Sequence, residues 1–174
     1  MKILDIRALR GPNYWSNWRH YLIVMRVDLE EMEEYPSNLI QGFPEGLQKL
    51  IPSLIEHRCS RGYAGGFLER LQEGTWMGHV MEHVALELQI LAGMQCGFGR
   101  CESAGEPGIY NVIFAYEQES AGYYAANAAF AVVQVISTAI NHGLDHSKCG
   151  ICCIITSAFL LIGKNHIVNS GLSS

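Results

Sequence analysis

The order of patterns along the chain, two strands, a set of helices, a further strand and a long helix, predicts an α+β fold: a small sheet packed against several helices in a single compact domain. Three observations carry this. Lys2 to Leu9, His20 to Leu29 and Ile109 to Tyr116 are rich in β-branched and aromatic residues and bounded by turn formers. Thr75 to Ala92 and Ser120 to Ile140 repeat apolar residues at helical spacing. A chain of 174 residues that is 49% apolar can close one real core.

The second predicted strand is built on Tyr21-Leu22-Ile23-Val24 and Val27, and it follows the turn-rich loop Gly11 to Trp18. The three aromatics of that loop either form a binding surface or cap the core, the second being the commoner use. Glu30 to Glu34 reads as a solvated helix face or turn. Pro44 to His57 carries Leu47, Leu50, Ile51, Leu54 and Ile55 at helical spacing, and Pro52 should bend or split that helix. Ser60 to Gly66 breaks the pattern and lacks the G-K-[ST] ending of a phosphate loop. Phe67 to Gln72 is a short helix ended by Gly74. Thr75 is a good N-cap for the next helix, and Gly93 a good C-terminal stop. Met94 to Gly108 reads as a loop. In the last long helix Ala125, Ala128, Ala129, Val132, Val133 and Ile136 form the buried face.

Inside the Thr75 to Ala92 helix lies His79-Val80-Met81-Glu82-His83, an H-x-x-E-H sequence. On a 3.6-residue helix the positions i, i+3 and i+4 share a face, so the two imidazoles and the carboxylate project together. Paired imidazoles one turn apart suit zinc, and the carboxylate suits a base that takes a proton from water at the metal. This is the inverzincin order. The pattern arises by chance in roughly two of a hundred shuffled chains, so its setting matters. Val80, Val84, Leu88 and Leu91 line one side of the helix, and Leu86 and Ile90 flank the trio. Ionisable groups on such an apolar helix need partners or a metal.

A catalytic zinc site takes a third protein ligand. Glu106, in the turn Ser103-Ala104-Gly105-Glu106-Pro107-Gly108, is held extended by the following proline and is the preferred candidate. Glu87 lies about 80° from His79 on the helical wheel and is weaker. Glu117, after the last strand, reads equally as a solvated edge residue.

The formal charge of -5 and a pI near 5.8, with Arg58, Arg61, Arg70 and Arg100 scattered, argue against a nucleic-acid surface. Asp5 interrupts the stretch where a signal peptide would be apolar, which predicts a cytoplasmic protein. Six cysteines in that setting read as reduced thiols, and the C-x-x-C-C group Cys149, Cys152 and Cys153 offers metal or redox chemistry but, among isoleucines, reads more readily as small hydrophobic residues. Cys149 to Gly163 is apolar but too short for a membrane span, which needs about 20 residues.

The wording of three segments adds a resemblance. Met1-Lys2-Ile3-Leu4 with Arg7 to Asn13, Gly78-His79-Val80-Met81-Glu82-His83-Val84-Ala85-Leu86-Glu87-Leu88-Gln89, and Ser103 to Gly108 resemble the N-terminal domain of cyanophycin synthetase. The likeness runs from Met1 to about Asn141, giving a domain over 1–141 and a divergent apolar tail over 142–174. Cyanophycin is a poly-aspartate carrying arginine on each side chain. In the family an ATP-grasp domain and a Mur-ligase-like domain follow this one, so the resemblance implies a detached first domain with no ATP site. It implies a role in holding the polymer and, in some members, metallopeptidase-like cutting of polymer into primers. Carried over, His79 and His83 are zinc ligands and Glu82 the general base. Arg100, in the family-like stretch Gly97-Phe98-Gly99-Arg100, would pair with a carboxylate of the polymer. The partners implied are the cyanophycin polymer and either synthetase ligase domains or a second copy of the chain, with no nucleic acid and no membrane. A polymer-binding module without catalysis, or an inactive remnant, is the competing expectation.

Overall fold

The computed structural model describes residues 1–19 and 21–141 of the chain. The predicted tail over 142–174, its Cys149, Cys152 and Cys153 group, and His20 at the predicted start of the second strand lie outside the described residues.

Strands β1 (Lys2–Arg10), β2 (Tyr21–Asp28), β3 (Gly99–Ser103) and β4 (Ile109–Ala115) form an antiparallel sheet in the order β1-β2-β4-β3. The predicted strands fall on β1, β2 and β4. β3 falls in what reads as a loop, because Gly-Arg-Cys-Glu-Ser has neither β-branched residues nor apolar alternation. It exists because β4 offers it a register, Gly99 opposite Phe114 through Ser103 opposite Tyr110.

Period two splits β2 between two cores. Ile23, Met25 and Val27 join the main core beneath the helices, whereas Leu22 and Val24 face the other way with Ile113 and Ala115. That smaller cluster is covered by Leu9, Trp15 and Phe98. The aromatic loop therefore divides its work: Trp15 caps the far face of the sheet, while Tyr14 and Trp18 stand in solvent.

The helical face of the sheet carries α3 (Met77–Leu91) and α4 (Glu119–Asn141), which pack on each other and on the strands. Of the predicted buried face of α4, Ala125, Ala128, Ala129, Val132, Val133 and Ile136 are all buried. Before them run α1 (Phe43–Leu50) and α2 (Gly66–Glu73), with short 3-10 turns at Glu30–Glu34, Ser37–Leu39, Pro52–Glu56 and Cys59–Arg61. Pro52 splits the expected Pro44 to His57 helix in two, as its missing N–H requires.

α3 ends at Gly93, whose φ is 88°. The Gly93 N–H bonds Ile90 O at 2.9 Å and the Met94 N–H bonds Gln89 O at 3.0 Å, the two bonds of a Schellman motif. Its start differs from expectation. The cap position is Trp76, and no side chain caps the helix. Thr75 instead engages the His79 ring. Val80, Val84 and Leu88 are buried as predicted, whereas Leu91 and Ile90 are exposed in the last turn.

Candidate metal centre

α3 is apolar nearly all round and is held between α4 and the β3–β4 edge of the sheet. His79, Glu82 and His83 emerge on one side of it, into a cavity of about 800 Å³ that is also lined by Arg58, Cys59, Arg70, Trp76, Gly99, Cys101 and Tyr110. The imidazoles lie one turn apart with ring centroids at 4.9 Å. His83 stacks on Phe67 of α2, centroids 3.9 Å apart and planes 24° apart, and the edge of the same phenyl meets His79. One buried aromatic thus holds both rings.

The residue placed to complete a three-donor set is Cys59. Its Sγ lies 3.4 Å from His79 Nε2, and one ligand atom from each of Cys59, His79 and His83 falls within 4.8 Å of the others. Zn–N near 2.0 Å and Zn–S near 2.3 Å give a tetrahedral N···S edge of roughly 3.5 Å, so the pair is already spaced for a shared ion. Cys59 has φ 50°, an uncommon left-handed conformation for a residue with a side chain, in the turn between Arg58 and Gly62. Such conformations persist where the surroundings fix a functional group.

Around the donors, each histidine is tied at Nδ1. Thr75 Oγ1 lies 2.8 Å from His79 Nδ1, and His57 Nδ1 lies 2.8 Å from His83 Nδ1. His57 Nε2 lies 2.7 Å from Glu87 Oε2. Burial, aided by Arg70, pushes His79 down to about 4. Burial, with the neighbouring His79 and His57, pushes His83 down to about 2. Both rings are therefore neutral at ordinary pH, the state a metal needs. Burial alone raises Glu82 to about 8, so without a cation nearby its carboxyl is protonated at neutral pH. Burial also pushes Glu87 up, but its hydrogen bonds with His57 and Ser53 outweigh that and hold it below the ordinary value.

Glu82 fits because the facing residue has no side chain. A Cβ on Gly99 would collide with the Glu82 carboxylate. Gly78 likewise admits Cys101, whose Sγ would sit 2.9 Å from a Cβ there. Burial raises the Cys101 thiol far above its usual range.

The two other residues expected at the site lie elsewhere. Glu106 Oε1 accepts from Arg26 Nη2 at 2.5 Å, and its side chain is 61% exposed. Arg26 belongs with Asp5, Arg7, Trp15, Val24 and Asn111 on the far face of the sheet. Glu106 does have a partner, but it is the Arg26 guanidinium and not a metal site. Arg100 pairs with Glu102 at 2.9 Å and sits opposite Ile113 of the far-face cluster, while its neighbours Gly99 and Cys101 face the cavity. Strand alternation thus puts Arg100 on the opposite side from His79, Glu82 and His83. Glu87, the weaker third-ligand candidate, touches the site only through His57. Glu117 accepts the Gln95 N–H at 2.8 Å and is absent from the cavity. In the sequence, Cys59 and His57 are visible only as a thiol and an imidazole near the Gly-rich break before the motif helix. Nothing in their spacing reveals the fold-back that joins them to α3.

Comparison with known proteins points to one family. The model of the cyanophycin synthase-like N-terminal domain matches residues 24–138. The chain is 60% identical over 145 residues to the cyanophycin synthetase of Geminocystis herdmanii (strain PCC 6308), covering 83% of this chain and 17% of that protein. It is 61% identical over 129 residues to the cyanophycin synthetase of Synechocystis sp. (strain ATCC 27184 / PCC 6803 / Kazusa), covering 74% of this chain and 15% of that one. With the cyanophycin synthetase of Trichormus variabilis (strain ATCC 29413 / PCC 7937) it shares 60% over 136 residues, 78% of this chain and 15% of that protein. The chain therefore spans less than a fifth of the length of these relatives.

Proposed function

This chain belongs to the family of cyanophycin synthase-like N-terminal domains, and from that premise we propose that it holds the aspartate–arginine polymer and cuts its amide bonds with a zinc ion. The observation that carries the reading is the convergence of Cys59, His79 and His83 within 4.8 Å in an open cavity, with Glu82 on the same helical face. Two imidazoles and a thiol form a three-ligand set that suits zinc and keeps one position free. A bound divalent ion would supply Lewis acidity toward water and toward an amide carbonyl.

Every other part of the chemistry falls to residues of this chain. Glu82 accepts a proton as the water oxygen bonds to the amide carbon, then returns it to nitrogen as the C–N bond breaks. A cation beside it offsets the burial that otherwise keeps its proton on, so the acid becomes a base only in the loaded site. Arg58 and Arg70, which line the cavity, suit carboxylates of the polymer, and Glu56 suits a guanidinium. Trp76 and Tyr110 also line the cavity.

The far face of the sheet supports the polymer-holding half of the proposal. Asp5, Arg7, Arg26, Glu106, Arg100 and Glu102 mix both signs of charge there, as an acid and guanidinium polymer requires. Arg100 enters the proposal as a holding residue on this face. If the chain only holds polymer, the same face does so without the metal centre.

Incubating the chain with cyanophycin, with and without zinc, tests the proposal. Cleavage should require zinc and disappear in Glu82→Gln, which should still bind one zinc per chain. Full cleavage by Glu82→Gln, or cutting that a chelator leaves unchanged, would refute the hydrolytic mechanism and leave the holder.

A further inference from the structure

Glu87 and His57 form a buried line ending on His83, and neither belongs to the H-x-x-E-H motif. Their side chains are only 4% and 9% exposed. Largely shielded from water, their side chains satisfy their polar atoms chiefly within the protein. They do so in one direction. Glu87 is held ionised by its hydrogen bonds, so its carboxylate only accepts, and His57 Nε2 must carry the hydrogen between them. In a neutral His57 that leaves Nδ1 as an acceptor. His83 Nδ1, 2.8 Å away, must then be the donor. A neutral His83 with its hydrogen on Nδ1 keeps its lone pair on Nε2.

We infer that Glu87 and His57 are positioning residues that set the tautomer of His83, so that its Nε2 lone pair is presented to the metal. The inference rests on the metal-site reading for its use, whereas the hydrogen-bond polarity rests on the two short contacts together with an ionised Glu87 and a neutral His57. His57 cannot be a fourth ligand beside His83 through these atoms. Its Nδ1 is nearer to His83 Nδ1 than two tetrahedral zinc ligands of roughly 3.3 Å separation would stand. Thr75 can do for His79 what His57 does for His83: its Oγ1 lies 2.8 Å from Nδ1, and when it accepts from that nitrogen it leaves Nε2 for the side facing Cys59. Carboxylate and hydroxyl partners of this kind orient ligand imidazoles and raise their basicity.

The helix explains the choice of residues. Glu87 is one turn beyond His83, on a neighbouring line of α3, and direct contact with the ion is left to the residues a turn earlier. His57, brought back by the Pro52–Glu56 turn, fills the gap between the two. Phe67 closes the other side of His83, so the ring has one hydrogen-bonding partner and one free nitrogen.

Two measurements decide the inference. Nitrogen-15 chemical shifts of the histidines in the metal-free full chain should show His83 with its hydrogen on Nδ1. Zinc affinity, read by chelator competition, should fall about 10- to 100-fold in His57→Phe and largely recover in His57→Gln, whose amide accepts from one neighbour and donates to the other. An Nε2–H tautomer at His83 would overturn the inference without any substitution. So would wild-type zinc affinity in a His57→Phe chain that melts cooperatively. A wild-type chain that shows the Nδ1–H tautomer yet binds no zinc would sink the metal-site reading while supporting the polarity of the relay.

Discussion

Cys59 is the residue on which the candidate site turns, because it converts a histidine pair on a helix into a three-donor set. Its left-handed backbone costs on the order of 1–3 kcal/mol, a strain that the surrounding turn must hold. Replacing it with alanine should remove one of three ligands and lower zinc affinity by at least 100-fold, measured by chelator competition. Glu106→Gln should leave zinc affinity at wild type, because that carboxylate is engaged with Arg26 across the sheet. If Glu106→Gln instead loses zinc and Cys59→Ala does not, the third ligand is not Cys59. Sequence alone favours Glu106 because a residue before proline is rigid. Rigidity says that a side chain has a target, not which one.

At the scale of elements, the contact of α3 with β3 is what seats Glu82. The approach depends on two glycines, one on each element: Gly78 on the helix and Gly99 on the strand. Gly99→Ala should destabilise the fold by about 1–3 kcal/mol, as an added methyl does in a filled core, because the collision is with the Glu82 side chain. Gly97→Ala, where a Cβ would meet nothing within 4 Å, is the control and should melt like the wild type. Equal melting temperatures for the two variants would count against the seating argument. The same contact explains why β3 escapes a reading of local patterns. Its residues are chosen for what faces them, Glu82 on one side and the far-face cluster on the other, and not for strand propensity.

For the whole molecule, burying two imidazoles and a carboxyl without charge links stability to pH. His79 and His83 titrate below their ordinary value of 6.5, so below that pH the unfolded chain binds protons that the folded chain does not. Stability is lost as pH falls. Glu82 titrates at about 8 against an ordinary 4.5, so from 4.5 to 8 the folded chain holds a proton that the unfolded chain has released, and stability is lost as pH rises. Between 4.5 and 6.5 the two histidines outweigh the one acid. Above 6.5 only the acid remains. The trio's contribution in the metal-free chain therefore peaks near pH 6.5 and declines by about 2 kcal/mol toward pH 8. Denaturant melts of metal-free wild type and Glu82→Gln check this: the decline above 6.5 should vanish in the variant. A decline of the same size in both would assign it to other groups. Among the described residues no helix is long and apolar enough to cross a membrane.

Local pattern determined most of the architecture. Period two marked β1, β2 and β4, period 3.6 marked α3 and α4, Pro52 marked a break, Gly93 a stop, and the H-x-x-E-H spacing alone put His79, Glu82 and His83 on one face. Those features depend on residues a few positions apart, whose geometry the backbone fixes. Tertiary structure decided the rest. It brought Cys59 to His79 and His57 to His83, drew Thr75 from capping to hydrogen-bonding a ring, gave Gly99 to Ser103 a partner strand, and sent Arg100 and Glu106 to the opposite side of the sheet. Apart from Thr75 and His79, which are four residues apart, each of these turns on a contact between separate segments or on which face of a strand is covered. Such contacts are set by how helices and sheet bury their apolar surfaces together, and no short stretch of sequence encodes them.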